Sequence, residues 1–312
     1  MPGIDCPIID WTEGGECRSA RWRSAAGVLP PSRVQVVDDT LTADVAYRLA
    51  CEGTALLWRG DFQNARQLLQ AMARRGERSL HKSRTTIHAP AQAFHMQRMA
   101  QAQRARTLGM LLIPFDPDHL IPLRRAPDVR QACLEVHGVH GAVSEPYVAS
   151  LRELLGLIGA HEWRKKGVEI PALGARIHPH YGVFSPVRGE YVALVAAAPL
   201  PGSLSVNSLA FDIGTGTGVL ALVLARRGVA RVVATDRDDR ALDCARENVA
   251  RLGLSGQVEV VQADLLPPGK APLIVCNPPW VPARPGSPLD HAVYDPDSRM
   301  LRGFLDGLTA HL

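Results

Sequence analysis

Four short apolar runs between residues 209 and 276 each lead into a polar residue, and this rhythm restricts the fold more than any other feature of the chain. The first, Leu209-Ala210-Phe211, meets Asp212 and then the glycine turn Gly214-Thr215-Gly216-Thr217-Gly218. Val232-Val233-Ala234-Thr235 meets Asp236, and Val258-Glu259-Val260-Val261-Gln262-Ala263 meets Asp264. Pro272-Leu273-Ile274-Val275-Cys276 delivers Asn277. Helical segments are predicted at 190–198, 218–227 and 238–252. Strands alternating with helices of this length form a parallel α/β sheet with helices on both faces. Ligands bind at the carboxyl ends of such strands, where these polar residues lie.

Gly214 and Gly216 let the backbone turn tightly and approach a ligand that a Cβ would block. A glycine-rich strand–helix turn also serves NAD and FAD. Asp212 shifts the balance, because a carboxylate there repels a pyrophosphate and suits the ammonium group of a methionine moiety. Asp236 can accept both hydroxyls of a ribose, and Asp264 can accept from an adenine amino group. Each aspartate alone reads equally well as a helix N-cap after a strand. Three carboxylates ending three successive strands favour a pocket.

These residues resemble the class I S-adenosylmethionine (SAM)-dependent methyltransferases, over residues 180–312. The resemblance implies a Rossmann-like parallel-sheet domain with SAM as cofactor. It implies that Gly214, Thr215, Gly216 and Gly218 pass beneath the methionine part, that Asp236 holds the ribose, and that Asp264 with Leu265 flanks the adenine. Asn277-Pro278-Pro279-Trp280 is similar to the (Asp/Asn)-Pro-Pro-(Tyr/Phe/Trp) signature of methyltransferases acting on a planar nitrogen. The chemistry suits the residue types. The lone pair of an amide or aromatic amino nitrogen is delocalised, so the nitrogen is a poor nucleophile. The Asn277 side-chain oxygen and the Pro278 carbonyl can hold its two N–H bonds and favour a pyramidal nitrogen. Pro278 and Pro279 fix the backbone and remove competing donors. Trp280 offers a flat face to a planar acceptor and to developing positive charge. Alignment and electrostatics then matter more than a strong base.

Two further segments resemble the HemK-like protein-glutamine methyltransferases. Pro186, Arg188 and Glu190 are similar to that family's P-R-x-E-T segment, out of strict spacing. Asp295-Pro296 and Gly303-Phe304-Leu305-Asp306-Gly307-Leu308 are similar to its E-P…G-x-D-G-L stretch. Trp280 replaces the usual Tyr and Asp295 the usual Glu. The implied function is N-methylation of a glutamine side chain in a translation-related protein. The alternative acceptor is an exocyclic amino group of an rRNA or other nucleic-acid base. A third alternative is a truncated, non-catalytic SAM-binding chain: four strands are found where the class has seven, so the domain reads as C-terminally incomplete, with helix Arg299–His311 ending it.

Charge bears on the acceptor. Residues 64–106 hold nine basic residues (Arg66, Arg74, Arg75, Arg78, Lys82, Arg84, Arg98, Arg104 and Arg106) against one acid, Glu77. Such a run can meet RNA phosphates or form a solvated helix face. Phe94 is the one aromatic residue within it, which weakens a base-stacking role.

The rest of the chain reads as a mainly helical N-terminal domain over 33–166 for substrate recognition. It follows a Gly/Pro/Ser/Arg-rich segment, 1–32, expected to be disordered. Helices are predicted from Asp39 or Thr40 to Leu49, from Phe62 to Arg75 with a stop at Gly76, from Gln92 to Leu108, and from Ser144-Glu145-Pro146 to Ile158. A β-hairpin linker occupies 167–185, with Pro171 to Gly174 at its turn, and 186–312 form the SAM-binding domain. The pair His178 and His180 could face one side of a strand, but no third ligand is evident, so no metal is expected. Six scattered cysteines with no CxxC pair read as reduced thiols of a cytoplasmic protein. No apolar stretch approaches the ~20 residues of a membrane span.

Overall fold

The computed structural model describes residues 7–82, 90–137, 145–187, 189–205, 208–283 and 292–312, without the side chains of 78–82 and 90–95. The chain forms two compact units, Met1–Gly159 and Ala160–Leu312.

The N-terminal unit opens with a hairpin, β1 (Ile8–Glu13) and β2 (Glu16–Trp22). Gly14 and Gly15 make its turn at φ 62° and 85°, backbone that glycine adopts freely. There follow β3 (Arg33–Val37), α1 (Ala43–Cys51), β4 (Thr54–Trp58), α2 (Phe62–Lys82), α3 (Pro90–Gly109), β5 (Leu111–Phe115), α4 (Arg130–His137), β6 (Tyr147–Ser150) and α5 (Leu151–Lys166). The six strands form one mixed sheet in the order β1-β2-β6-β5-β4-β3. β3, β4 and β5 run parallel, and β6 is antiparallel to β5. The end strands β1 and β3 also approach each other. Arg59, just past β4, grips Glu13 with two hydrogen bonds of 2.9 and 2.7 Å.

The span 33–166 is rich in helix, as expected, but it also holds four strands of a sheet that was not expected, and β1 and β2 fall within the segment 1–32 expected to be disordered. In β1 only Ile9 and Trp11 face the core, and the exposed Ile8, Asp10 and Thr12 alternate with them, so two inward residues are all that mark the strand. β4 and β5 are five-residue runs buried almost throughout, which periodicity does not distinguish from buried helix. Pro146 does not open a helix: Tyr147–Ser150 pairs with β5 and β2 first, and α5 starts at Leu151. α2 runs through Gly76 to Lys82.

The C-terminal unit begins with the expected hairpin, β7 (Val168–Ile170) and β8 (Ala175–Ile177), which turns at Gly174. Then come α6 (Glu190–Ala197), β9 (Leu209–Ile213), α7 (Val219–Arg226), β10 (Arg231–Asp236), α8 (Asp239–Arg251), β11 (Val258–Gln262), β12 (Leu273–Cys276) and α9 (Arg299–His311). The four strands β9 to β12 are all parallel, in the order β11-β10-β9-β12. Alternate residues serve opposite faces. Ala210, Val232, Ala234 and Val258 pack under α6, α7 and α8. Phe211, Ile213 and Val233 pack under Met300 and Phe304 of α9. Every residue of α7 from Val219 to Ala225 is buried, as a helix apolar on all sides requires.

Candidate cofactor and acceptor site

From β9 the chain moves outward to β10 and β11, and β12 lies on the other flank of β9. The strand order therefore reverses between β9 and β12, the kind of crevice where open α/β sheets bind ligands. Cys276 is paired with Ile213, so Asn277 and Gly214 leave their strands at one level, on the two sides of that crevice.

The glycine turn is braced from beneath. Gly214, Gly216 and Gly218 have φ of 69°, 55° and 82°, where a side chain is strained. A Cβ on Gly218 would stand 3.3 Å from Ala245 Cα and Cβ, so α8 needs this glycine to pack closely. The Asp212 side chain, 1% exposed, points into the turn. Its Oδ2 accepts from the Thr215 hydroxyl at 2.6 Å and from the Ala221 N–H at 3.0 Å. Burial pushes the Asp212 carboxyl up to about 6, against the pull of these two donors. Asp236 closes the turn from the next strand: its Oδ2 accepts the Gly216 N–H at 3.1 Å and its Oδ1 the Asp238 N–H at 3.0 Å. Burial raises its carboxyl too, partly offset by these backbone donors.

Asp264 and Leu265 sit at the end of β11. Asp264 is exposed and paired with Arg299 of α9. Leu265 has φ +129°, a strained value for a side chain with a Cβ. Its carbonyl accepts the hydroxyl of fully buried Thr235 at 2.7 Å. A Cβ on Gly303 would stand 2.7 Å from Leu265 Cδ1, and one on Gly307 would collide with Leu266. Two glycines within a helix cost about 1 kcal/mol each relative to alanine. Here they let α9 lie directly on the 264–266 turn.

Asn277, Pro278 and Pro279 are half-buried, and Trp280 is 59% exposed. The Trp280 N–H donates to Val293 O at 3.1 Å. Phe184 meets the Trp280 ring edge-on, with centroids 6.3 Å apart. Pro186 and Glu190, singled out in the sequence, follow Phe184 in the chain, whereas Arg188 lies outside the described residues. Asp295, 5% exposed, accepts from the N–H groups of Met300 and Leu301 at 3.0 and 3.1 Å and caps α9. Its own N–H donates to Val281 O, tying the helix start to the Asn277–Trp280 segment.

Asn248 carries no obvious sequence signal, yet it joins two parts of the site. Its side chain, 1% exposed, accepts the His178 N–H at 2.8 Å and donates to Thr217 O at 3.0 Å. The only hint is a polar residue on the inner face of an amphipathic helix. His178 and His180 point to protein partners: His178 Nδ1 lies 2.6 Å from Arg164 O, and His180 Nε2 lies 2.6 Å from Glu247. Among the described residues no three His, Cys, Asp or Glu side chains could hold a metal. Burial pushes the Cys276 thiol up to about 12, which keeps it protonated near neutrality.

Residues 174–287 match the family described as methyltransferase small domain. The chain is 49% identical over 69 residues to a ribosomal protein L11 methyltransferase of Pelotomaculum thermopropionicum, covering 22% of each chain. It is 43% identical over 106 residues to a release factor glutamine methyltransferase of Moorella thermoacetica, covering 32% of this chain and 37% of the other. It is 47% identical over 74 residues to a tRNA1(Val) (adenine(37)-N6)-methyltransferase of Bacteroides thetaiotaomicron, covering 22% and 31%. The chain spans less than half the length of these relatives. The glycine turn, the strand-end carboxylates and the reversal of strand order all lie in the region that matches the methyltransferase small domain family.

Proposed function

We propose that the chain N-methylates a planar amide nitrogen, the side chain of a glutamine in a translation-related protein. The observation that carries this is the placement of Asn277-Pro278-Pro279-Trp280 across the crevice from Gly214. Bound SAM supplies the methyl group. Asp236 holds the ribose and Asp264 with Leu265 the adenine, while Gly214 to Gly218 leave room for the methionine part. Asp212 acts through the turn it braces. The Asn277 side-chain oxygen and the Pro278 carbonyl accept the two N–H bonds of the acceptor amide and turn its lone pair toward the methyl group. Trp280 and Phe184 form two aromatic walls that take the flat acceptor and exclude water. The N-terminal unit serves substrate recognition. The name of the release factor glutamine methyltransferase relative supports a glutamine acceptor.

The second acceptor is an adenine amino group, supported by the name of the tRNA-modifying relative. Part of the basic run is already engaged within the chain. Arg75 pairs with Asp44, and Arg104 pairs with Glu77 at 2.6 Å. Arg66 and Arg106 donate to Gln63 and Gln103. Arg78, Lys82 and Arg84 lie outside the described side chains. Labelled SAM incubated with whole ribosomes and release factors, then treated with RNase or protease, separates the acceptors. The glutamine assignment expects label that survives RNase and is released by protease; label lost only to RNase overturns it.

A further inference from the structure

The first turn of α9 lies on residues assigned above to the cofactor. Arg299 Nη2 donates to Asp264 Oδ2 at 2.5 Å, and Nη1 donates to Oδ1 at 3.4 Å. One guanidinium thus engages both oxygens that an adenine amino group would use, and it holds the Asp264 carboxyl below its usual range. The next residue, Met300, reaches the glycine turn: a Cβ on Gly214 would stand 3.2 Å from Met300 Cε. Asp295 accepts from the backbone N–H groups of Met300 and Leu301, so Arg299 and Met300 belong to one capped turn. The same turn therefore touches both ends of the pocket, the adenine carboxylate and the glycine backbone.

We propose that Arg299 is a cofactor-displaced latch: its guanidinium holds Asp264 until an adenine amino group takes the carboxylate, and Met300 withdraws from Gly214 as the turn moves. This rests on the assignment of Asp264 to the adenine. Guanidinium and amino group are both donors, so they compete for the same acceptor. The pair can open because both side chains are 59% exposed, a setting in which an ion pair is worth little. A buried Arg–Asp pair at this place would exclude the cofactor altogether. Salt should act in the same direction as removing Arg299, because the screening length falls from about 10 Å at 0.1 M to about 3 Å at 1 M.

The test is calorimetric titration of S-adenosylhomocysteine into the full chain across that salt range, with Arg299→Met, Arg299→Lys and Asp236→Ala alongside. The latch expects Arg299→Met to bind about two- to five-fold tighter at low salt. It expects the parent to tighten with salt and Arg299→Met to lose that response, with Arg299→Lys between them. Arg299→Met that binds equally or more weakly, with the salt response of the parent, overturns the latch. If Arg299→Met fails to fold, the salt response of the parent and the affinity of Arg299→Lys decide. A failed latch leaves the parent binding and Asp236→Ala not binding. A folded parent that does not bind at all instead overturns the pocket assignment, and the latch with it.

Discussion

In the N-terminal unit β3, α1, β4, α2, α3 and β5 place three parallel strands side by side; in the C-terminal unit β9, α7, β10, α8 and β11 do the same. Both courses carry acids at the carboxyl ends of their strands: Asp38, Asp39, Asp61 and Asp116 in one, Asp212, Asp236 and Asp264 in the other. The ends are used differently. After β4 the Asp61 carboxylate takes Arg125 at 2.6 Å and Arg124 at 3.3 Å, and Asp39 takes the Asp61 N–H and the Asn64 amide. A Cβ on Gly60 would stand 2.6 Å from Asp39, so side chains already fill this space. After β9 three glycines turn the chain, and Asp212 and Asp236 brace that turn through its own hydroxyl and N–H groups. Strand-end acids on a parallel sheet therefore do not make a pocket; a turn that keeps side chains out of the crevice is also needed.

The strongest way to break this contrast is Asn277→Ala. Methyl transfer should fall at least about a hundredfold while S-adenosylhomocysteine affinity stays within a few-fold, read by turnover and calorimetry. An equal loss from Asp61→Asn, with the chain folded, would show that the first sheet also serves the reaction. Next is a pair of glycine substitutions. Gly216→Val should abolish cofactor binding through its positive φ and added bulk. Gly60→Ala should leave binding intact and destabilise the N-terminal unit by about 1–3 kcal/mol through the clash with Asp39, measured by denaturant unfolding.

The two buried acids sharpen the contrast through opposite pH signs. Arg125 holds the Asp61 carboxyl at about 2, below its ordinary 3.8. Its contribution to stability is present above 3.8 and lost as pH falls from there through 2. Asp61→Asn should therefore melt below the parent near neutrality, and the gap should close in acid. Burial places Asp212 at about 6, so its contribution is present below 3.8 and lost as pH rises through 6. Asp212→Asn should gain on the parent across that window, by on the order of 2–3 kcal/mol. The smallest effect belongs to Arg104→Ala, which removes an exposed pair and should cost under about 1 kcal/mol. If the same change weakens RNA binding and flattens its salt dependence, the N-terminal unit has a nucleic-acid role after all.

The C-terminal sheet was legible because each of its strands is an apolar run that ends on a polar residue beside a helix of ordinary length. Helix α9 occupies the span expected for it, Arg299–His311. The N-terminal sheet was not, since β1 shows only two inward residues and β6 has four residues whose partners lie on β5 and β2. Within the site, the glycine turn and Asn277–Trp280 were legible as contiguous motifs. Arg299 on Asp264, Asn248 on Thr217 and Phe184 on Trp280 were not, because each joins residues more than 30 positions apart and depends on how the helices pack.

The approach of β1 to β3 has a bearing on how the chain survives before it is fully folded. An edge strand with free N–H and C=O groups is a template for a foreign strand, and proteins guard such edges. In the first sheet each end strand approaches the other, and the Arg59–Glu13 clasp, with Arg59 lying 5.9 Å above the Trp11 ring, ties β1 to the end of β4 beside β3. Loosening that clasp, by Glu13→Lys for example, would bare two edges at once and turn a folded unit into a seed for aggregation.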